Sequence, residues 1–222
     1  MATPPFTLPP GLRFDTRLKM DGLDFLASLP EEAVPLAFLD PQYRGVLDKL
    51  AYGNEGVNRG RQRAALQQMD EATIAAFIQG IDRALRASGH LFLWLDKFHL
   101  CSGFSPWLTG TRLEVVDMIT WDKGRMGMGY RSRRQSEHLV VLQKAPRRAR
   151  GVWTAHDIPD VWRERVERGR HTHRKPVELQ ARLIAAVSEP GDLVIDPAAG
   201  SFSVLEACQG QGRRFLGCDI KG

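Results

Sequence analysis

Two aspartates in this 222-residue chain sit where chemistry is expected. Pro35-Leu36-Ala37-Phe38-Leu39 is a short, continuously apolar run, as for a strand buried on both faces, and it breaks off at Asp40-Pro41-Gln42-Tyr43. An aspartate and a proline carbonyl are both pure acceptors, and together they can hold the two hydrogens of an –NH2 group. The exocyclic amine of adenine or cytosine is a poor nucleophile because its lone pair is delocalised into the ring. Two acceptors draw it toward a tetrahedral shape and free that pair for in-line attack on a sulfonium methyl. Tyr43 adds a flat face for a base taken out of the stack. An Asp-Pro turn after a strand is also a common structural device, so the tetrapeptide alone leaves both readings open.

The second aspartate has the same setting. Leu193-Val194-Ile195 runs into Asp196-Pro197-Ala198-Ala199-Gly200-Ser201, whose small residues let backbone approach a ligand closely. A further strand ends at Asp219, a spacing of 23 from Asp196 and close to that between a glycine turn and the acid that grips ribose hydroxyls. By itself this half suits NAD as well as any other adenosine cofactor.

The elements that must position these residues alternate between strand and helix, the pattern of an α/β sheet covered on both faces. Leu12 to Leu18 reads as a strand. Asp21 caps a helix carrying Phe25, Leu26 and Leu29. Residues 44–68 carry no sustained apolar period and read as a loop. Asp70 starts a helix with Ile74, Phe77, Ile78, Ile81 and Leu85 on one face, ended by Gly89. His90 to Leu95, Leu113 to Trp121 and His138 to Leu142 read as strands. Pro176 opens a helix through Leu179, Leu183, Ile184 and Val187; another spans Val204 to Gln209, and the last strand is Phe215 to Asp219. The chain is expected to be one domain, 1–222, with 124–170 as a recognition segment within it.

Composition bounds the partners. Net charge is +5 and the sequence pI about 9.4, which suits a polyanion but does not require one. Arg125, Arg131, Arg133 and Arg134 cluster, a second basic run follows from Lys144 to Lys175, and both are candidates for phosphate contacts. Cys101, Cys208 and Cys218 are odd in number and far apart, and read as reduced, buried thiols of a cytosolic protein. The N-terminal segment lacks the pattern of a secretory signal, and no apolar run is long enough for a membrane span. His171 and His173 lack further ligands at metal spacing, so no metal is expected. Trp121, Trp153 and Trp162 read as core or interface residues.

Taken together the motifs resemble those of the amino-group DNA methyltransferases in their permuted beta arrangement, where the catalytic motif precedes the cofactor motif. Asp40-Pro41-Gln42-Tyr43 resembles the family's Asp-Pro-Pro-Tyr. Asp196-Pro197-Ala198-Ala199-Gly200-Ser201 resembles Asp-Pro-Phe-x-Gly-Ser, and the stretch from His171 to Leu179 resembles His-Pro-Thr-Gln-Lys-Pro and the helix it leads into. Phe215-Leu216-Gly217-Cys218-Asp219-Ile220 resembles the ribose-acid strand, and Asp21-Gly22-Leu23-Asp24-Phe25-Leu26 the Gly-Asp stretch that reaches the cofactor adenine. These five matches, in family order, cover nearly the whole chain.

The resemblance implies a Rossmann-like methyltransferase fold, a mixed but mostly parallel sheet with helices on both faces and permuted motif order. It implies S-adenosyl-L-methionine as methyl donor and double-stranded DNA as substrate. Adenine N6 is the expected target because cytosine-N4 enzymes more often carry serine at the position of Asp40. Cytosine N4, or an RNA or protein amine, is the alternative. Asp40, Pro41, Gln42 and Tyr43 are the implied catalytic residues. The implied cofactor residues are Asp21, Gly22, Asp40, His171, Thr172, His173, Lys175, Pro176, Asp196, Ala198, Gly200, Ser201, Phe202 and Asp219. Arg44, Arg59, Arg61, Arg125, Arg131, Arg133 and Arg134 are expected on DNA, with 44–68 moving over the target. A homodimer and a cognate restriction endonuclease are companions the resemblance leaves open, and the expected location is the cytoplasm.

Three departures stand out. Gln42 replaces the second proline, but the acceptor required is the Pro41 carbonyl. Ala198 replaces a phenylalanine, and Phe202 stands where glycine is usual. Thr172, His173 and Arg174 replace Pro, Thr and Gln.

Overall fold

The computed structural model describes residues 8–42, 69–127, 131–165 and 174–222. Among the described residues, eight strands form one sheet in the order β1-β8-β7-β2-β3-β5-β4-β6. They are β1 (Leu18–Lys19), β2 (Val34–Leu39), β3 (Leu85–Leu95), β4 (Leu113–Asp122), β5 (Ser136–Lys144), β6 (Val161–Arg163), β7 (Leu193–Asp196) and β8 (Arg214–Asp219). Only β5 among them runs antiparallel to its neighbours. The helices are α1 (Gly22–Ser28), α2 (Glu71–Ala84), α3 (Lys97–Ser102), α4 (Val177–Val187) and α5 (Ser203–Cys208), with a 3₁₀ turn at Ser105–Leu108. None of the described helices is long and apolar enough to cross a membrane.

The period of two along the central strands sorts their side chains into two cores. Ala37 and Leu39 of β2, with Leu91, Leu93 and Leu95 of β3, pack with Phe25 of α1 and Ile74, Ile78 and Ile81 of α2. Leu36 and Phe38, with Phe92 and Trp94, face the other way onto Leu179, Leu183 and Ile184 of α4 and Val204 of α5. All six residues of β2 are buried, as its continuous apolar run requires. Each such side chain contributes about 2 kcal/mol of burial. Helices of six to fourteen residues, too short to persist alone, are therefore held by their apolar faces.

Several boundaries differ from the expected ones. The strand read over Leu12 to Leu18 shrinks to Leu18–Lys19, because Asp15 adopts φ 58° and the chain turns there. The Asp15 carboxylate accepts from Phe215 N at 2.8 Å and its own N–H donates to Phe215 O at 2.9 Å, so the segment wraps the end of β8 instead. Helix α2 ends at Ala84, not near Gly89, and β3 begins directly after it. Gly89 serves packing instead, since a Cβ there would lie 2.9 Å from the carbonyls of Arg86 and Pro35. Within 124–170, expected as a recognition segment, Val161–Arg163 pairs with Thr120–Asp122 of β4. Cys208 and Cys218 are buried, and burial pushes both thiols up to about 12; Cys101, expected to be buried, is exposed.

Candidate active site

The carboxyl ends of the parallel strands gather a row of acids on one edge: Asp21 after β1, Asp219 on β8, Asp196 on β7, Asp40 after β2 and Asp96 after β3. In an open α/β sheet this edge is where ligands bind. Because β5 runs the other way, its first residues reach the same edge, and they bring Glu137.

Asp196 is 6% exposed and accepts from Ala198 N at 3.2 Å. Burial pushes its carboxyl up to about 8, with Asp40 and Asp219 adding like charge. The turn beyond it is fixed by bonds from Ala199 N to Cys218 O (2.9 Å) and from Phe202 N to Ala199 O (2.7 Å). Gly200 is exposed at φ 48°, and a Cβ there would meet open space. Phe202 adopts φ 58°, and its buried ring lies edge-on to Phe215, centroids 6.3 Å apart, in the α4–α5 core. The Asp21 carboxylate caps α1, accepting from Leu23 N at 2.8 Å and Asp24 N at 3.3 Å. Gly22 is obligatory at this junction, since any Cβ would run into the Pro197 carbonyl and the Phe77 ring.

Asp40 is paired with Lys175, whose Nζ lies 2.9 Å from its Oδ2. The same ammonium lies 2.8 Å from Oε2 of Glu137 and 5.1 Å from the centroid of the Trp94 ring. Burial opposes the charge on Lys175, but Asp40 and Glu137 outweigh it and raise its pKa. Lys123, at the end of β4, pairs with the other oxygen of Glu137. Burial penalises Glu137, yet Lys175 and Lys123 hold its carboxyl down at about 2. Pro41 is buried, Gln42 is exposed, and Gln42 O accepts from Met69 N at 2.7 Å.

Of the residues expected here, Asp21, Gly22, Asp40, Pro41, Lys175, Pro176, Asp196, Ala198, Gly200, Ser201 and Asp219 lie on the edge or the segments entering it. Tyr43, Arg44, Arg59, Arg61, His171, Thr172 and His173 lie outside the described residues. Lys175 has a role beyond the expected one, joining two carboxylates, while Pro176 stands at the N-cap position of α4, at the start of the helix it was expected to open. Arg125, Arg131 and Arg133 are exposed on the β4–β5 connection. Arg134 turns inward, 3.9 Å from Asp96 and over the Phe98 ring at 5.7 Å. Asp96 and Glu137 were not singled out from sequence. Asp96 had a signal, since it repeats the pattern of an apolar strand ending in aspartate; Glu137 had none.

Comparison with known proteins bears on the family and the fold. The sequence pattern of a DNA methylase family (N6_N4_Mtase) matches residues 121–222. The Type II methyltransferase M.HhaII of Haemophilus parahaemolyticus is 55% identical over 203 residues, covering 91% of this chain and 89% of that protein. Type II methyltransferase M2.DpnII of Streptococcus pneumoniae is 24% identical over 90% of this chain and 83% of its own length. Among solved structures, the cytosine-N4-specific PvuII DNA methyltransferase superposes with a TM-score of 0.69 at 14% identity, covering 97% of this chain and 86% of that one. A putative DNA modification methylase of Thermus thermophilus, complexed with S-adenosyl-L-methionine, gives 0.59 at 20% identity over 92% and 89%. The fold is that of a Rossmann-like methyltransferase. The chain belongs to the amino-group DNA methyltransferase family, whose members act on adenine N6 or cytosine N4.

Proposed function

We propose that the chain methylates adenine N6 in double-stranded DNA, with S-adenosyl-L-methionine as donor, at the Asp40-Pro41 turn. The donor supplies an electrophilic sulfonium methyl carbon. The edge suits such a ligand: the carboxylates of Asp196, Asp40 and Asp219 act on one another there, and a cation with a ribose diol answers both their charge and their acceptor capacity. Asp219 takes the diol, Asp21 and Gly22 face the adenine, and the Ala198-Gly200-Ser201 turn lets backbone approach. Phe202 contributes through its backbone, its ring being in the core. His171, Thr172, His173 and Pro176 complete the set by resemblance.

The observation that carries the reading is the placement of Asp40 near Asp196, at the carboxyl ends of the adjacent parallel strands β2 and β7. The target amine donates to the Asp40 carboxylate and the Pro41 carbonyl, which turns its lone pair toward the donor side. Gln42 keeps the turn and Tyr43 stacks the extruded base. Lys175 keeps a positive charge against Asp40, so the carboxylate stays an acceptor. As the new N–C bond forms and the S–C bond breaks, the nitrogen sheds one proton to solvent. Arg125, Arg131 and Arg133 contact phosphates, Arg44, Arg59 and Arg61 join them by resemblance, and 124–170 reads the sequence. Aspartate at position 40 supports adenine over cytosine. So does the 42% identity, over 69 residues, to the DNA adenine methyltransferase YhdJ of Escherichia coli. The Type II relatives support a cognate restriction endonuclease, and the expected location remains the cytoplasm.

The test is transfer of labelled methyl onto duplex DNA, RNA and protein in parallel. Transfer onto duplex DNA is expected. Labelling of RNA or protein with none on DNA overturns the proposal.

A further inference from the structure

Glu137 lies outside every motif of the site, yet it is wired into it. Its two carboxylate oxygens are divided between Lys123 and Lys175, and Lys175 is in turn divided between Glu137 and Asp40. The result is a row of alternating charge, Lys123–Glu137–Lys175–Asp40. One end stands at the foot of the basic connection 123–135 and the other on the acid of the catalytic turn. Register explains why the row forms: Glu137 is paired with Trp121 across β4–β5, two residues before Lys123, and it precedes His138, which pairs with Leu95 of β3. The Trp94 ring supports the Lys175 ammonium from the β3 side.

A row of this kind fixes geometry. An ammonium shared by two carboxylates, each 2.8–2.9 Å away, sits at a defined point between them. Without the second carboxylate it is free to turn about the first. We infer that Glu137 is a positioning residue for methyl transfer: it fixes the side from which Lys175 meets Oδ2 of Asp40, leaving the rest of the Asp40 carboxylate oriented for the target amine, and ties it to the basic connection between β4 and β5. Neutralising Glu137 lets Lys175 swing across to the other oxygen of Asp40 and compete with the amine for it. Binding of the donor, which involves the Asp196–Asp219 side, is left in place. Misplacement of a reacting group by about 1 Å costs up to about 10²-fold in rate.

This inference rests on the proposed role of Asp40, and the experiment separates the two. Single-turnover methylation of duplex DNA is measured at saturating DNA and donor for wild type, Glu137→Gln, Glu137→Asp and Lys123→Met, with donor affinity by calorimetry. Glu137→Gln is expected to lower the rate constant about tenfold while donor Kd stays within about twofold. Glu137→Asp, which keeps the charge, recovers most of the rate, and Lys123→Met loses about threefold by loosening the row at its outer end. A wild-type rate in Glu137→Gln overturns the inference. So does an equal loss in Gln and Asp variants accompanied by weakened donor binding, which would mark a purely structural residue. Failure of the Asp40 reading shows separately, as undiminished transfer by Asp40→Ala.

Discussion

Two buried lysines stand at opposite edges of the same sheet and do opposite things. Lys144 ends β5 at the amino edge with its side chain fully buried. Its ammonium donates to the carbonyls of Asp82 and Leu85, at the last turn of α2, and lies 3.6 Å from the half-exposed Glu32. Burial lowers its pKa, with Asp82 and Glu32 opposing. Lys175 at the carboxyl edge is nearly as buried, but two carboxylates reverse the outcome and raise it. A cation on the carbonyls that end a helix is a cap. A cation between two acids, on the edge where ligands bind, is part of a site. Burial is common to both lysines, and only the partners separate structure from function.

The largest effect is expected at Asp40. Asp40→Ala should lower single-turnover transfer by about 10³-fold with the melting temperature little changed, as Lys175 retains Glu137. Next, Lys175→Met should lose about 10²-fold in rate and about 3–5 kcal/mol of stability, because it leaves two acids facing each other. Urea unfolding monitored with the activity assay reads both. Lys144→Met should lose about 1–3 kcal/mol by orphaning two helix carbonyls yet keep its rate per folded molecule. A fall in that rate would erase the distinction between the edges. Gly22→Ala is expected to weaken donor binding about tenfold by pushing α1 off Pro197, read by calorimetry.

The smallest effect is in pH. Asp196 rises from 3.8 to about 8 on folding, so its contribution to stability is full below about 4 and is lost as pH rises through about 8. The melting temperature of the ligand-free protein should therefore decline across that window. Asp196→Asn should flatten the decline, and an unchanged slope would remove Asp196 as its cause.

Much of the carboxyl edge was legible in sequence because it is written locally. A buried parallel strand is a continuous apolar run, and Asp40, Asp196 and Asp219 each end one. Helix α2 was legible for the same reason, in Asp70 and the spacing of Ile74, Ile78 and Ile81. Glu137 and Lys144 were not, since their meaning depends on the register of β5 against β3 and β4, which no local pattern carries. The strand expected at Leu12 to Leu18 failed because Asp15 spends its polar groups on Phe215, at the far end of the chain. Phe202 illustrates the same limit: its place in the loop was legible, but its burial against Phe215 depends on the packing of α5.

The amine that lies against Asp40 and Pro41 defines the reaction. It is read most directly by digesting duplex DNA, methylated by the purified protein, to nucleosides and separating them by mass. N6-methyldeoxyadenosine is expected from the wild type and none from Asp40→Ala. The methyl group on cytosine N4, or unchanged yield from Asp40→Ala, would contradict that expectation.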